Sequence, residues 1–148
     1  MPSFDNNEYT ARIEVSGAAE SLESIRNFVR RHAERWGFSE EQAGLIALAV
    51  DEACSNIIRH SYKNDTSKSV SVAIRIEGSQ FKVLIMDSGA TFNPLSVSSP
   101  NMEQYFKMFR SGGLGIHIMR KVMDAISYNP AQTSAALNTL ILSKKLPS

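Results

Sequence analysis

The sequence is poor in cysteine and histidine, has almost no charge imbalance and lacks a long apolar run, and each shortage excludes something. A lone Cys54 cannot close an internal disulfide, which fits a reducing compartment, and one cysteine with 3 scattered histidines makes no ligand cluster for zinc or its relatives. Its expected part is that of a small core hydrophobe. Lys and Arg number 16 against 15 for Asp and Glu, spread along the chain, so the electrostatic footprint of a nucleic-acid binder is missing. The longest aliphatic block, Leu45 to Val50, is far too short to span a bilayer, and the opening MPSFDNNEYT has neither a basic start nor an apolar run. The expectation is a soluble, unexported, cytoplasmic protein with no direct nucleic-acid or membrane contact. Common phosphate-binding signatures are missing too: there is no GxxxxGK[ST], the glycines do not spell GxGxxG, and neither HRD nor DFG occurs. With no internal repeat and no low-complexity linker, 148 residues that are 43% hydrophobic and 21% charged suit a single domain over 1–148.

What is present reads as alternating strand and helix patterns. Thr10 to Ser16 alternates Ala11, Ile13 and Val15 with Arg12 and Glu14, which predicts a half-buried strand at a sheet edge. Leu22, Ile25, Val29, Ala33 and Trp36 recur at helical spacing between about Ala19 and Trp36, and Gly37 stops that helix. Ser39 followed by Gln42 is a capping box, with Glu40 and Glu41 suiting the positive end of the next helix. Its Leu45 to Val50 block is apolar nearly all round, which predicts the most buried helix, set against the sheet and under a neighbouring helix. Val70 to Ile76 and Phe81 to Met86 form a hairpin through Glu77-Gly78-Ser79 and should occupy the middle of the sheet. Ser96 to Asn101 reads as a loop between Pro94 and Pro100, and Met102, Tyr105, Phe106 and Phe109 as a turn or two of amphipathic helix. Another helix follows Gly112, Gly113 and Gly115, with Ile118, Met119, Val122, Met123 and Ile126 facing inward. Two last strands, Ala125 to Tyr128 and Leu137 to Ser143, turn at Asn129-Pro130.

Three short motifs carry chemistry. In DEACSNIIRHSY, residues 51–62, Glu52, Asn56 and His60 are spaced by four and fall within an arc of about 80° on one helix face, continuing the line of Leu45, Leu48 and Ala49. Alone, such a face is more commonly that of a helix emerging into solvent. Asp87-Ser88-Gly89 follows an apolar strand, and Gly113-x-Gly115 enters a helix. In combination they gain meaning. Glycines at a helix start expose N–H groups that favour phosphate. The Asn56 amide oxygen is a hard ligand able to complete a Mg²⁺ shell shared with phosphates and water. Glu52, one turn away, can take a proton from a hydroxyl nucleophile or a water, and a buried Asp87 can accept a hydrogen bond from an exocyclic amine such as that of adenine.

These motifs resemble those of the GHKL or Bergerat-fold ATPases, and within them the bacterial anti-sigma-factor serine kinases of the RsbW type, over nearly the whole chain. DEACSNIIRHSY is similar to the N box, MDSGATFNP to a first glycine box of form DxGxxFxP, and RSGGLGIHIMRKVMD to the second. The resemblance implies an α/β (α+β) two-layer sandwich, with helices on one face of a mixed, mostly antiparallel sheet. It implies ATP and Mg²⁺ as cofactors, Glu52 as the catalytic base, Asn56 as the metal ligand, and Asp87 as the adenine-amine partner with Gly89 allowing close approach. Gly113 and Gly115 would hold phosphates, Arg110 would reach phosphate, and Thr139 would place a hydroxyl near the adenine. An ATP lid over about 93–112 would change order with nucleotide, its aromatics and methionines packing down on the domain in one state and facing partners in another. Implied partners are a sigma factor, which the protein would sequester, and a STAS-type anti-sigma-factor antagonist, whose serine it would phosphorylate; a homodimer stays open. Ala90-Thr91 stands where histidine-kinase relatives carry a further glycine, and the chain has no separate helix with a phosphoacceptor histidine, which argues against self-phosphorylation. The other reading is a nucleotide-gated binding module that transfers no phosphate.

Overall fold

The computed structural model describes residues 9–63, 65–89, 114–133 and 136–148. The segment read as the lid, with its loop at Ser96 to Asn101 and its aromatic turn at Met102 to Phe109, lies outside them.

The strands are β1 (Ala11–Ser16), β2 (Ser69–Glu77), β3 (Gln80–Asp87), β4 (Ala125–Asn129) and β5 (Asn138–Lys145), in the spatial order β1-β2-β3-β5-β4. All four pairings are antiparallel, and β1 is at an edge as its alternation suggests. The hairpin of β2 and β3 turns at Gly78, whose positive φ of 61° is a conformation glycine adopts freely. Because strand side chains alternate between faces, Val70, Val72, Ile74, Phe81, Val83, Ile85, Leu140 and Leu142 all point to one side and are buried there. A smaller cluster of Ala73, Leu84 and Met86, joined by Tyr9 and Ile141, occupies the other side.

Helix α1 (Ser21–Arg35) and helix α2 (Glu40–Asn56) cover the main face, and Ile25, Val29 and Ala33 meet Ile46, Ala47, Ala49 and Val50 there. The helices are also tied by an ion pair from Arg26 to Asp51 at 2.8 Å. Gly37, at φ 106°, ends α1, and the Ser39 hydroxyl accepts the Gln42 N–H at 3.1 Å to open α2. Helix α3 (Leu114–Val122) packs on the other flank of α2 and buries Met119, while Met123 follows directly after it. Its C-terminal carbonyl at Val122 accepts the Lys144 Nζ at 2.7 Å. Ile126, expected on this helix, lies in β4.

Helix α2 carries more buried residues than α1, as expected of the most buried helix, but Leu45 and Leu48 are 41% and 40% exposed, so its apolar block is not covered all round among the described residues. The 9-residue α3 is about half as long as the 17-residue α2 and leaves one stripe of it open. The helix also does not stay α-helical to Tyr62: residues Ile57–Ser61 form a π-helical turn, closed by the Tyr62 N–H on the Ile57 carbonyl at 2.9 Å. The wider turn breaks the four-residue register after Asn56, so the backbone position of His60 does not continue the line of Glu52 and Asn56.

Candidate functional site

The polar residues gather at one end of the sheet. Asp87 is the last residue of β3 and Asn138 the first of β5, and they are direct cross-strand partners on the helix-facing side. Both are nearly inaccessible, Asp87 at 6% and Asn138 at 1%. Asp87 Oδ1 accepts the Gly89 N–H at 2.8 Å and the Asn138 Nδ2 at 3.2 Å, while no described residue donates to Oδ2. Burial pushes the Asp87 carboxyl above its ordinary range, and the two donors pull the other way.

The end of α2 adjoins this cluster. Cys54 is fully buried; burial raises its thiol first, with Asp51 and then Asp87 adding to the effect, so the strand end and the second half of α2 lie side by side. Tyr128 in β4 likewise feels burial first and Asp87 second. Asn56, 3% exposed, closes α2, and its Oδ1 is buried without a hydrogen-bond partner among the described residues. A native structure rarely leaves such an atom unmatched, because it costs about 1–3 kcal/mol. One turn earlier the half-buried Glu52 makes no hydrogen bond or ion pair among the described residues. The π-turn that follows Asn56 is of a kind often found at functional sites.

Tyr62 braces the strand exit from below. Its hydroxyl donates to the Ser69 carbonyl at 2.5 Å and accepts the Ser88 N–H at 2.9 Å, which fixes the backbone between Asp87 and Gly89. The ring lies so close to Gly17 that a Cβ there would sit 2.9 Å from Tyr62 Cδ2, so this contact requires a glycine.

Of the residues expected from sequence, Asp87 and Gly89 are joined by a hydrogen bond, and Glu52 and Asn56 lie on the second half of α2, where Cys54 feels the Asp87 charge. Thr139 does not join them. It pairs with Met86, whose side chain belongs to the cluster on the opposite face, and one step along a strand reverses the direction of a side chain. Asn138, one residue earlier, takes the position beside Asp87. Arg110 and Gly113 lie outside the described residues, and Gly115 falls in the first turn of α3, not before it. Sequence reasoning missed Asn138 and Tyr62. Antiparallel register from Gln80 opposite Lys145 would have found Asn138; for Tyr62 there is no signal short of the fold.

A separate cavity of about 380 Å³, lined by Gln42, Leu45, Ile118, Lys121, Val122 and Lys144, lies toward the far end of β5. At about 3.4 Å per residue, Lys144 is some 20 Å along the strand from Asn138, so this cavity is not part of the polar cluster. A second orphaned atom, His32 Nδ1, sits on α1, where the ring packs against Phe28 at 4.7 Å. Burial, then Arg31 and Arg35, lowers its proton affinity. No group of three or more His, Cys, Asp or Glu among the described residues could hold a metal, and no helix among them is long and apolar enough to cross a membrane.

The arrangement can receive a ligand that supplies an amine to Asp87 and an electron-pair acceptor to Asn56. The histidine kinase-like ATPase domain family matches residues 15–144. The chain is similar to serine-protein kinase RsbW of Bacillus subtilis, at 26% identity over 126 residues, 82% of this chain and 78% of that protein. It is similar to serine-protein kinase RsbW of Bacillus licheniformis at 30% identity over 100 residues, 64% of this chain and 61% of that protein. Among solved structures, the RsbU and RsbW domains of a Mycobacterium tuberculosis protein share the fold, with a TM-score of 0.58 at 16% identity over 93% of this chain and 33% of that one.

Proposed function

The chain belongs to the histidine kinase-like ATPase domain family, and from that premise we propose that it is an ATP-dependent protein serine kinase of a partner-switching module. It would bind Mg-ATP beside the end of α2, sequester a sigma factor and phosphorylate a serine on a STAS-type antagonist in the cytoplasm. The observation that supports this reading most is the buried Asn56 Oδ1, which has no hydrogen-bond partner among the described residues, on the helix whose end adjoins Asp87, a carboxylate whose Oδ2 accepts from none of them.

The donor set suits the nucleotide and its metal. An amide oxygen is the hard ligand Mg²⁺ takes, and Asn56 Oδ1 has no partner to give up on binding it. Bound there, Mg²⁺ would neutralise phosphate charge. Asp87, as an acceptor with one oxygen already filled, orients the purine through its amine and leaves the sugar and phosphates to extend toward α2. Glu52 then acts on the protein substrate: it takes the proton from the serine hydroxyl as that oxygen bonds to the terminal phosphorus and ADP departs. Most of the work is positioning and charge stabilisation. The phosphoserine product carries about 1.5 to 2 negative charges beside Glu52, which favours its release and makes a Ser→Asp antagonist a weak binder.

The test uses Glu52→Ala and phosphate transfer from labelled ATP to a STAS-type partner protein. ATP binding should persist, because no proposed adenine contact is removed, while transfer should fall by about 10² to 10⁴. Equal rates for wild type and variant would remove Glu52 as the base. If neither transfers phosphate although both bind ATP, the protein is a nucleotide-gated binding module.

A further inference from the structure

We propose that Asn138 is the positioning residue of the adenine subsite: its side-chain amide holds Asp87 by Oδ1 and clamps the Gly89 carbonyl, so that Asp87 Oδ2 alone faces the exocyclic amine of the purine. This inference rests on the nucleotide reading above and adds a residue to it.

Contacts to Asp87, Gly89 and Ala131 hold the Asn138 side chain. Its Nδ2 donates to Asp87 Oδ1 and to the Gly89 carbonyl, both at 3.2 Å, and its Oδ1 accepts the Ala131 N–H at 2.9 Å. The amide orientation is forced by its neighbours. A carboxylate and a carbonyl can only accept, so the NH₂ must face them; Ala131 offers only a donor, so the oxygen must face it. At 1% exposure the side chain is shielded from bulk solvent, so a lost partner leaves a polar group unmatched.

The consequence for Asp87 is directional. Its Oδ1 is filled by Gly89 and Asn138, which sets the plane of the carboxylate and leaves Oδ2 as the acceptor for a ligand. Burial disfavours the charged carboxylate, and the Asn138 donor is one of two hydrogen bonds that oppose burial. An ionised carboxylate only accepts. It therefore welcomes the amine at C6 of adenine and repels the carbonyl that inosine carries at the same atom. Selection for adenine is a property of the Asp87 and Asn138 pair, and Asn138 acts through Asp87 without touching the base.

Titration calorimetry of ATP and ITP with magnesium, from pH 5 to 8, tests the idea alongside the NMR titration of the Asp87 carboxyl without nucleotide. For Asn138→Ala, ATP should bind about ten- to hundredfold more weakly, the loss expected for a hydrogen bond to a charged group, with ITP little changed. The Asp87 titration, and with it the acid limb of ATP binding, should move to higher pH. Asn138→Ser, which keeps a hydroxyl donor, should recover part of both. If Asn138→Ala does not fold, Asn138→Ser carries the test by itself, since one hydroxyl cannot hold Asp87, the Gly89 carbonyl and the Ala131 N–H together, and it is judged by the same criteria. Should wild type prefer ATP while the variant keeps both the Asp87 titration and the ATP to ITP ratio, the role of Asn138 is overturned and the kinase reading stands. A wild type without preference for ATP over ITP overturns the adenine subsite and this inference together.

Discussion

The ladder of β3 and β5 is built differently at its two ends. Along most of its length the helix-facing side is wholly apolar, with Phe81, Val83, Ile85, Leu140 and Leu142 buried against α2 and Phe81 set edge-on to Phe38 at a ring distance of 5.3 Å. At the Asp87 end the same face holds Asp87 and Asn138, and α2, whose Cys54 feels the Asp87 charge, ends at the equally buried Asn56. The apolar stretch has no polar group to satisfy. The polar end has several, and it leaves Asn56 Oδ1 and Asp87 Oδ2 without a donor among the described residues. Burial thus serves stability in one half and is a standing cost in the other, which is the pattern expected where acceptors are held ready for a ligand.

That contrast breaks most visibly in the apolar half. Phe81→Ala removes a fully buried ring that touches Phe38 and the centre of the core, and should cost about 3–5 kcal/mol in urea unfolding. A loss below about 1 kcal/mol would mean that this half collapses to fill the gap and is not the stabilising one. Tyr62→Phe, at the border between the halves, keeps the ring against Gly17 and removes only the hydroxyl that bridges Ser69 and Ser88. It should cost about 1–3 kcal/mol and weaken ATP binding as well, since Ser88 lies between Asp87 and Gly89. An unchanged ATP affinity would separate the brace from the subsite.

The same contrast explains what could be read from the sequence. Elements with strict periodicity were legible: the alternation of β1, the helical repeat of α1, the Ser39 cap and the β2–β3 hairpin all occur close to where their patterns place them. The places of Glu52 and Asn56 in the second half of α2 and of Asp87 at the end of β3 could be read as well, because each sits at a fixed offset in a short motif. Leu45 and Leu48 misled, since apolarity alone does not say which stripe of a helix a short neighbour will leave open. The π-turn at Ile57–Ser61 has no composition signal, and it undoes the spacing argument for His60. Thr139 was misplaced for a simpler reason. The family resemblance implied the role, but a single step of register puts Asn138 on the face of Asp87 and Thr139 on the reverse.

The smallest expected effect is also the one of opposite sign. Asp87→Asn keeps an oxygen at the Oδ1 position to accept from Gly89 and Asn138, and puts its NH₂ where Oδ2 stood, with no donor among the described residues to oppose it. Rotating the amide would turn its NH₂ against two other donors, so the orientation is fixed. The variant therefore meets the adenine amine with a donor and should lose ATP binding, yet it should be as stable as wild type or slightly more. The pH dependence gives the sign. Burial raises the Asp87 pKa in the folded state above the unfolded value of about 3.9, so the folded form holds its proton over a window in which the unfolded form has lost it. Stability from this group is full below the unfolded pKa, falls as pH rises through the folded one, and stays reduced at neutrality. The amide of the Asp87→Asn variant has no such titration, and the stability difference between variant and wild type, measured by urea unfolding at steps from about pH 4 to 8, should grow from near zero in acid to a small positive plateau. A wild type that gains stability over that range relative to the variant would mean that the two donors outweigh burial, and that Asp87 is an anchor of the fold and no longer a cost kept for the nucleotide.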